Sequence, residues 1–216
     1  MAVGSATDAY IYQEEKYRIT YVYLTLLLKY RFPVFISTKR TLIKRDIELL
    51  REIDKAAILP NDLKDTLHSG LILSVSISTM DEKISDMLEP GAATPAERMN
   101  LVKELKEQGF LVGVNAIPVL PFISDTAEEL EKIIAAAKEN QADYVLTGGL
   151  TLFGNDKADS KILYYKFLEK HYPHLVDGYN KLYGDKFYAP LYYQQQLKQK
   201  ADTLCIKYKI RNRISA

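Results

Sequence analysis

Leu71-Ile-Leu-Ser-Val-Ser-Ile-Ser78 opens the stretch of sequence that decides the fold, and this stretch runs on to Asp125. Its apolar and β-branched residues predict a strand. Because successive side chains of a strand point to opposite faces, Ser74, Ser76 and Ser78 share one face. A row of three serines is more polar than the packing of a core requires. The stretch therefore predicts a strand with one apolar and one polar face.

A capped helix and a second strand follow. Thr94-Pro-Ala-Glu97 predicts the start of the helix, because it supplies an N-cap, a first-turn proline and the glutamate of a capping box. Gly109 suits the left-handed position at which helices end. Residues 110–117 predict the next strand, which Pro118-Val-Leu-Pro121 ends. Between the first strand and the helix, Leu88-Glu-Pro-Gly91 predicts a loop.

The rest of the chain alternates strands and helices in the same manner. The predicted strands are 2–5, 34–38, 71–78, 110–117 and 144–147, and the predicted helices between them are 14–30, 44–54, 95–108 and 126–140. Strands that alternate with helices usually pair in parallel through right-handed crossovers. The fold class is therefore α/β, as a barrel or as an open sheet.

Apolar residues recur at helical spacing in these helices and predict the faces that pack on the sheet. In the first helix this face comprises Ile19, Tyr23, Leu26, Leu27 and Tyr30. In the second it comprises Ile43, Ile47, Leu50 and Ile53.

The composition is that of an ordinary globular domain. Of 216 residues, 47% are apolar and 26% are charged, so the chain can bury a complete core, and a second domain is not required. Its single cysteine, Cys205, excludes an internal disulfide and any multi-cysteine metal site made by this chain alone. The longest apolar run, Tyr21–Leu28, is too short to span a membrane, and no signal-peptide pattern is present. We therefore expect a cytoplasmic protein.

Charge distinguishes two parts of the chain. Residues 1–156 carry 17 Lys and Arg against 23 Asp and Glu, whereas residues 157–216 carry 12 against 5. We interpret the first part as a partial, ligand-binding barrel and the second as a helical extension packed on it. The extension is rich in tyrosine, and two interpretations are open. The tyrosines stack nucleic-acid bases while the lysines follow phosphates, or they pack the helices on the sheet.

The candidate site lies at the strand ends, because ligands of parallel α/β folds bind beyond the carboxyl ends of the strands. In strand order the polar residues there are Ser5, Thr7 and Asp8, then Lys39, then Ser76 and Ser78, then Asn115, and then Thr147-Gly148-Gly149. Parity also places Ser37 on the face of Lys39, and Gly113 on the face of Asn115. If these faces point inward, they form a polar pocket that suits a ligand with hydroxyls, an amine and a carboxylate. Lys39 or Arg98 would bind the carboxylate.

Common catalytic motifs are absent from the sequence, which has no GxSxG, P-loop, GxGxxG or HExxH. The histidines, His68, His171 and His174, lack a metal-ligand spacing that fits a strand-end site. Cys205 is interpreted as a buried apolar residue rather than a nucleophile. Catalytic residues and metal ligands are therefore not identified.

Several short motifs occur in a consistent order along residues 3–150. They are Ser5-Ala-Thr-Asp-Ala-Tyr10 with Glu14, Phe32-Pro-Val-Phe-Ile-Ser-Thr-Lys39 with Arg45-Asp46, Ser76-Ile-Ser-Thr79 with Leu88-Glu-Pro90 and Arg98, and Pro118-Val-Leu-Pro121 with Asp125. The series resembles the radical S-adenosylmethionine superfamily, and within it the group of spore photoproduct lyase and the DNA repair photolyase-like proteins. The resemblance implies an incomplete (β/α) barrel that binds S-adenosylmethionine at the carboxyl ends of its strands.

The resemblance also implies roles for individual residues. Lys39 and Ser76 or Ser78 match family positions that hold the methionine moiety and the ribose of the cofactor. Thr7 and Asp8 match a polar pair at a strand end near the reacting centre.

Further positions are matched farther along the chain. Asn115 and Ala116 match positions that approach the adenosine, and Glu89 and Arg98 match positions that flank the site. For Arg98 a structural ion pair with Glu89 is an equal alternative, and we interpret Ser74 as structural.

Two departures from the family pattern bear on activity. The family binds a [4Fe-4S] cluster with a CxxxCxxC loop, whose three thiolates leave one iron open to the cofactor. This chain has no such loop. Either the loop lies upstream of Met1 in the intact protein, which the abrupt first strand favours, or the protein has lost radical chemistry; in both cases we expect this chain to be inactive alone. Ser5 occupies the position of a hydrogen-donating cysteine in spore photoproduct lyase, which disfavours the thymine-dimer reaction.

The resemblance therefore implies the cofactor-binding part of a radical enzyme. The intact protein would cleave S-adenosylmethionine reductively to a 5′-deoxyadenosyl radical, which abstracts hydrogen from a substrate that could be a nucleic acid. Its electron donor is not identified. A contrasting hypothesis is a non-catalytic nucleic-acid-binding α/β domain that uses the basic, tyrosine-rich end. A third is a hydrolase or aldolase with Lys39 as a Schiff-base amine.

Overall fold

A parallel sheet of five strands forms the centre of the protein. The computed structural model describes residues 1–5 and 7–215. The strands are β1 (Ala2–Val3), β2 (Val34–Thr38), β3 (Leu71–Ser76), β4 (Leu111–Val119) and β5 (Tyr144–Gly149), and they lie side by side in this order. Within the described ranges the sheet does not close, since β1 and β5 form its two edges. The fold is therefore an incomplete β/α barrel, which confirms the predicted class.

Helices connect the strands and extend beyond the last one. The described residues form α1 (Glu14–Tyr17), α2 (Ile19–Lys29), α3 (Ile47–Ala56), α4 (Glu82–Leu88), α5 (Pro95–Glu107), α6 (Ala127–Glu139), α7 (Ser160–His171), α8 (Val176–Tyr183) and α9 (Leu191–Tyr208). Short 3-10 helices precede α3 (Thr41–Asp46) and α8 (Pro173–Leu175). In the part of the chain that the structure describes, no helix has the length and apolar character needed to cross a membrane.

The strand register gives the sheet two different faces. The face that packs against the helices is apolar and buried, and it carries Val34, Ile36, Leu71, Leu73, Val75, Val112 and Val114. The opposite face carries Ser37, Ser74, Ser76, Gly113 and Asn115. This second face is the interior of the partial barrel. Ser74 and Ser76 share it as predicted, but Ser78 lies in the loop after β3.

The helix α5 begins with the predicted capping box. The Thr94 hydroxyl accepts a hydrogen bond from Glu97 N–H, and the Glu97 carboxylate accepts one from Thr94 N–H. These bonds satisfy amide groups that a helix start leaves without intrahelical partners. Gly109 follows the helix with a φ of +86°, the left-handed conformation that the sequence predicts. By contrast, α4 has no counterpart among the predicted elements.

The first predicted helix is wrong in two respects. It is interrupted at Arg18, whose φ of 51° is left-handed, so that it forms the two helices α1 and α2. Its predicted packing face is also largely exposed. Of the five residues assigned to that face, only Leu27 is buried, and Leu24 packs beside it instead. The other four are exposed, namely Ile19, Tyr23, Leu26 and Tyr30.

Buried tyrosines attach the carboxyl-terminal helices to the sheet. Tyr164, Tyr179, Tyr183 and Tyr193 are buried, and their hydroxyls make hydrogen bonds inside the protein. The packing interpretation is therefore confirmed for these four tyrosines. Beyond α9, Arg211 C=O accepts a hydrogen bond from Val145 N–H and covers part of the β5 edge. The division of the chain into two domains at residue 156 stays a prediction.

Candidate functional site

A cavity of about 700 Å³ opens beyond the carboxyl ends of β1 and β2. It is lined by Asp8, Ile11, Tyr12, Lys39 and Arg40 on one side and by Leu88, Glu89, Pro90, Gly91 and Ala92 on the other. The second set continues from the end of α4 through the loop 89–92, which we call the EPG loop. The volume of the cavity is within the range of small-molecule sites.

Lys39 and Asp8 are brought together at the start of this cavity. The Asp8 carboxylate accepts hydrogen bonds from Thr38 Oγ1 at 2.7 Å, from Lys39 N–H at 2.6 Å and from Tyr10 N–H at 2.8 Å. Asp8 therefore fixes the backbone from which the Lys39 side chain extends. Its own oxygens are already engaged, so its contribution to the site is to position Lys39.

Glu89 lies beside Lys39 in the wall of the cavity. Its Oε1 atom is 3.8 Å from Lys39 Nζ, a separation longer than a hydrogen bond, and it accepts a hydrogen bond from Ser78 Oγ at 3.2 Å. Its Oε2 atom is 2.7 Å from Arg98 Nη1. The Lys39 ammonium thus retains donors for a ligand, and one-third of that side chain is exposed.

Arg98 is held inside the protein by its remaining donors. Nε donates to Ala93 C=O at 2.6 Å, Nη1 to Ser76 C=O at 3.0 Å, and Nη2 to Ser85 Oγ at 3.2 Å. Because the side chain is 1% exposed, Arg98 cannot reach a ligand in the cavity. The structure contains the ion pair with Glu89 that the structural alternative describes, and the cations that line the cavity are Lys39 and Arg40.

A second polar group lies on the interior face of the sheet. Ser37 Oγ and Ser76 Oγ are 2.9 Å apart, and Asn115 Nδ2 donates weakly to Ser37 Oγ at 3.4 Å. Asn115 Oδ1 is buried and has no partner within the described residues. Buried polar atoms are normally paired, so this oxygen is a candidate acceptor for a ligand hydroxyl or amine. Arg98 connects this group to the cavity, because its guanidinium bonds both Ser76 C=O and Glu89.

Tyr144 lies on the same face of the sheet as these side chains, in register with Gly113. Its ring covers Gly113, where a Cβ atom would lie 2.3 Å from Tyr144 Cε2, and its hydroxyl donates to Leu73 C=O at 3.0 Å. Burial raises the pKa of the Tyr144 phenol above its usual value. Ser74 is in register with Gly113 and is almost fully buried, which agrees with its structural interpretation.

The other predicted site residues are more dispersed. Ser5 and Thr7 are exposed on the loop after β1 and do not line the cavity. Ala116 is fully buried on the helix-facing side of β4, so its side chain points away from Asn115. Residues 147–149 line a different cavity of about 350 Å³, formed with α9. The structure thus does not bring the end of β5 to the Lys39 cavity.

Sequence reasoning missed several residues of the cavity wall. Arg40 follows Lys39 and donates a hydrogen bond to Gly91 C=O, which ties the EPG loop to the end of β2. Ile11 and Tyr12 supply exposed apolar and aromatic surface at the rim. Arg40 could have been identified from the sequence, because it is a second cation directly after Lys39. Nothing in the local pattern distinguishes Ile11 and Tyr12 from ordinary loop residues.

The donor set of the chain does not fit a cysteine-bound iron–sulfur cluster. Cys205 is the only cysteine, and it is buried in α9. Across residues 1–5 and 7–215, no three histidine, cysteine or acidic side chains converge as metal ligands.

The sequence has mycobacterial and viral relatives. The chain is 28% identical over 210 residues to an uncharacterized protein of Mycobacterium tuberculosis, in a match that covers 97% of this chain and 57% of that protein. It is 33% identical over 113 residues to the uncharacterized protein ORF301 of Acidianus two-tailed virus, which covers 51% of this chain and 33% of the viral protein. The chain therefore spans little more than half the length of the mycobacterial relative. No family model matches the sequence.

Solved structures share the fold at low sequence identity. Two mutants of spore photoproduct lyase superpose with a TM-score of 0.53 and 12% identity, over 81% of this chain and 48% of the lyase chain. SuiB of Streptococcus suis bound to S-adenosylmethionine superposes with a TM-score of 0.48 and 15% identity, over 80% of this chain and 36% of SuiB. The likeness to spore photoproduct lyase is one of fold.

Proposed function

We propose that this chain binds S-adenosylmethionine in the cavity between Lys39 and the EPG loop, as part of a radical S-adenosylmethionine enzyme. The observation that carries the proposal is the placement of Lys39 and Glu89. Lys39, directly after β2, and Glu89, directly after α4, place a cation and a carboxylate 3.8 Å apart in the wall of the cavity. A ligand with both a carboxylate and an ammonium group complements such a pair.

The residues present fit the parts of this ligand. Lys39 would hold the carboxylate of the methionine moiety, and Glu89 would accept from its ammonium group. The ribose hydroxyls would bind in the group formed by Ser37, Ser76 and Asn115, where the Asn115 Oδ1 atom is buried and unpaired in the described structure. The cavity volume of about 700 Å³ accommodates a nucleoside with an amino-acid side chain.

The chain contributes orientation rather than a proton or a nucleophile. Asp8 fixes the backbone of Lys39, and Arg98 fixes Glu89 and the end of β3. Fixed charges of this kind hold the ligand without the cost of reorganising the site when it binds. When bound, S-adenosylmethionine would supply a sulfonium that one electron from a donor outside this chain would cleave to methionine and a 5′-deoxyadenosyl radical in the intact enzyme. An iron–sulfur cluster does not fit the donors of this chain, so its thiolate ligands would come from outside it.

Calorimetric titration with S-adenosylmethionine tests the proposal. We expect Lys39→Ala to weaken binding by roughly 10- to 100-fold, because a hydrogen bond to a charged group contributes about 1.5–3 kcal/mol. Methylthioadenosine lacks the amino-acid moiety, so its weaker binding should be unchanged by the same substitution.

The control for this titration is Lys132→Ala. Lys132 is an exposed lysine on α6 that pairs with Glu129, far from the cavity along the chain. The Lys132→Ala variant should bind both ligands as the wild type does. Thermal unfolding checks that the variants are folded. The proposal fails if the wild type binds neither ligand, or if Lys39→Ala weakens both ligands equally.

No observation in the structure favours the nucleic-acid hypothesis. The four buried tyrosines are unavailable for base stacking, although Tyr188 and Tyr192 are exposed. Nucleic-acid binding by the basic extension therefore stays a prediction, as do the cytoplasmic location and the upstream cluster loop.

A further inference from the structure

The loop after β4 holds an aromatic residue in a backbone conformation that rarely suits one. Phe122 has a φ of 62°, in the left-handed region, which is an outlier for a bulky side chain. It lies at no helix end, because β4 ends at Val119 and α6 begins at Ala127. The other described residues with a positive φ that are not glycine lie at helix ends, where this conformation is ordinary, and they are Arg18, Arg31, Gln141 and Lys209.

Phe122 also occupies a turn position that normally takes glycine. Ile123 N–H donates to Leu120 C=O at 3.1 Å, which closes a β-turn with Pro121 and Phe122 at its two central positions. A proline followed by a residue of positive φ is the pattern of a type II turn, whose second central position is usually glycine or asparagine. A phenylalanine at this position strains the backbone, so the turn itself does not explain the choice of side chain.

Buried side chains hold the strained turn in place. Asp125 Oδ1 accepts a hydrogen bond from Phe122 N–H at 2.8 Å, and Asp125 Oδ2 accepts one from the Tyr193 hydroxyl at 2.8 Å. Pro121 C=O accepts one from the Tyr179 hydroxyl at 2.6 Å. Asp125 and both tyrosines are buried. The core therefore imposes the conformation of Phe122, which is the circumstance in which backbone strain persists.

The same contacts leave the Phe122 ring accessible from solvent. The residue is 46% exposed. Its ring meets the Tyr179 ring nearly edge to face, with centroids 5.6 Å apart and planes at 72°. Gly178 leaves room for it, because a Cβ atom there would lie 3.3 Å from Phe122 Cε2. The ring thus has a defined seat on α8 and is still open to a ligand.

The position of Phe122 is one at which a ligand is expected. Phe122 follows β4, and ligands of parallel α/β folds bind beyond the carboxyl ends of the strands. The Lys39 cavity opens at the same end of the sheet. Because aromatic rings associate through offset stacks and edge contacts, an exposed ring of fixed orientation suits a second flat ring.

We propose that Phe122 is a ligand-binding residue, whose ring stacks on a planar aromatic ring of a ligand bound beyond the carboxyl end of β4. Two sources supply such a ring, namely the adenine of S-adenosylmethionine and an aromatic group of the substrate. A ring of the substrate does not require S-adenosylmethionine in the Lys39 cavity, so the inference can hold where the proposed function fails.

Nuclear magnetic resonance of the full chain with 13C-labelled phenylalanine rings tests the proposal. The Phe122 signal is the one that disappears in Phe122→Leu. The aromatic probes are methylthioadenosine and N-acetyltryptophanamide, and N-acetylleucinamide is the non-aromatic comparison. We expect at least one aromatic probe to shift the Phe122 ring protons upfield in a saturable manner, because stacking places them over the ring of the probe.

Substitutions distinguish stacking from simple apolar contact. Phe122→Leu keeps an apolar side chain but removes the ring, so it should weaken binding of that probe by roughly 5-fold or more, measured from the signals of the probe. Phe122→Tyr keeps the ring and should bind as the wild type does. The matched control is Phe153→Leu, which replaces a phenylalanine that is 51% exposed and should leave binding unchanged. Thermal unfolding checks that each variant is folded.

The two probes identify the source of the ring. A response to methylthioadenosine assigns it to adenine, and a response to N-acetyltryptophanamide alone assigns it to the substrate; either result supports the proposal. The proposal is overturned if neither probe shifts the Phe122 signal, or if N-acetylleucinamide shifts it equally. Equal weakening by Phe122→Leu and Phe153→Leu also overturns it. A Phe122 shift without any effect of Lys39→Ala on S-adenosylmethionine binding would reject the proposed function alone.

Discussion

Arg98 Nη1 lies 2.7 Å from Glu89 Oε2, although the Arg98 side chain is almost completely buried. The same guanidinium donates to Ser76 C=O, Ala93 C=O and Ser85 Oγ. A single arginine thus joins α5 to the end of β3, to α4 and to the EPG loop. These bonds of Arg98 therefore connect the wall of the cavity to the protein core.

Replacing Arg98 should destabilise the fold strongly. We expect Arg98→Met to lower the free energy of unfolding by about 3–5 kcal/mol, because it leaves Glu89 and two carbonyl groups without their partner. Arg98→Lys should cost less, since an ammonium can still pair with Glu89 but cannot span the other acceptors. Urea unfolding monitored by circular dichroism measures these differences.

Arg40→Met is the control for Arg98. Arg40 also bonds the EPG loop, through Gly91 C=O, but this contact is exposed. Exposed contacts of charged side chains contribute about 0–1 kcal/mol, so the control should change stability little. Equal losses for the Arg40 and Arg98 variants would contradict the buried role of Arg98.

Gly113→Ala should destabilise the protein through the Tyr144 ring. The added Cβ would lie 2.3 Å from Tyr144 Cε2, and overpacking of a core costs about 1–3 kcal/mol. Gly149→Ala is a matched control on β5, where the nearest side-chain atom would be at 3.9 Å, and it should be nearly neutral. If the clash is the cause, Tyr144→Leu should remove most of the penalty of Gly113→Ala in a double-mutant cycle. A penalty that persists in the Tyr144→Leu background would refute this explanation.

Local sequence patterns were sufficient to place the five strands and the capped helices but not every strand end, because β4 continues through Pro118, which was predicted to end it, as far as Val119. β2 and the start of β3 lie where the β-branched and apolar residues and the loop residues that flank them predict strands. The capping box forms between Thr94 and Glu97. The break at Arg18 was not predictable, because a left-handed arginine has no local signal comparable to glycine. Periodicity also identified Ile19, Tyr23, Leu26 and Tyr30 as one apolar face, but it wrongly predicted that this face packs on the sheet.

The candidate site was predictable in outline and not in detail. Strand-end logic correctly placed Lys39, Ser76 and Asn115 towards one edge of the sheet, because a parallel sheet brings such residues together there, while their role in binding a ligand stays a prediction. It could not separate Arg98, which a helix carries into the interior, from Lys39, which remains at the cavity. Hydrogen bonding between segments distant in sequence decides this, and periodicity does not contain that information.

The Cys205 thiol should be unreactive in the folded protein. It is almost fully buried in α9, and burial raises the pKa of its thiol to about 11. Since the thiolate is the reactive form, a thiol reagent at neutral pH should modify Cys205 only as fast as the protein unfolds. Rates measured with and without urea check this. Rapid stoichiometric modification of the native protein would show that α9 is not packed as described.

Glu14 should give the stability of the protein a dependence on acid pH. Glu14 Oε2 accepts from Thr20 N–H at 2.8 Å, and Glu14 Oε1 is 2.8 Å from Arg45 Nη2. Burial alone would raise the pKa of this carboxyl, but the bonds from Thr20 and Arg45 outweigh burial and lower the pKa below its ordinary value of 4.5. The carboxylate therefore stabilises the fold fully above pH 4.5, and its contribution is lost as the pH falls through the folded-state pKa.

Glu14→Gln tests this relationship. At pH 7 the substitution should lower the free energy of unfolding by about 1.5–3 kcal/mol, the range for hydrogen bonds to a charged group. The difference from the wild type should shrink as the pH falls from 4.5 through the folded-state pKa, because below that pKa the wild-type carboxylate is protonated in both states. Glu15→Gln, at the exposed neighbouring position, should show no such dependence. A difference between Glu14→Gln and the wild type that stays constant from pH 7 to pH 3 would mean that the charge of Glu14 does not stabilise the fold, and that its shape alone holds the start of α2.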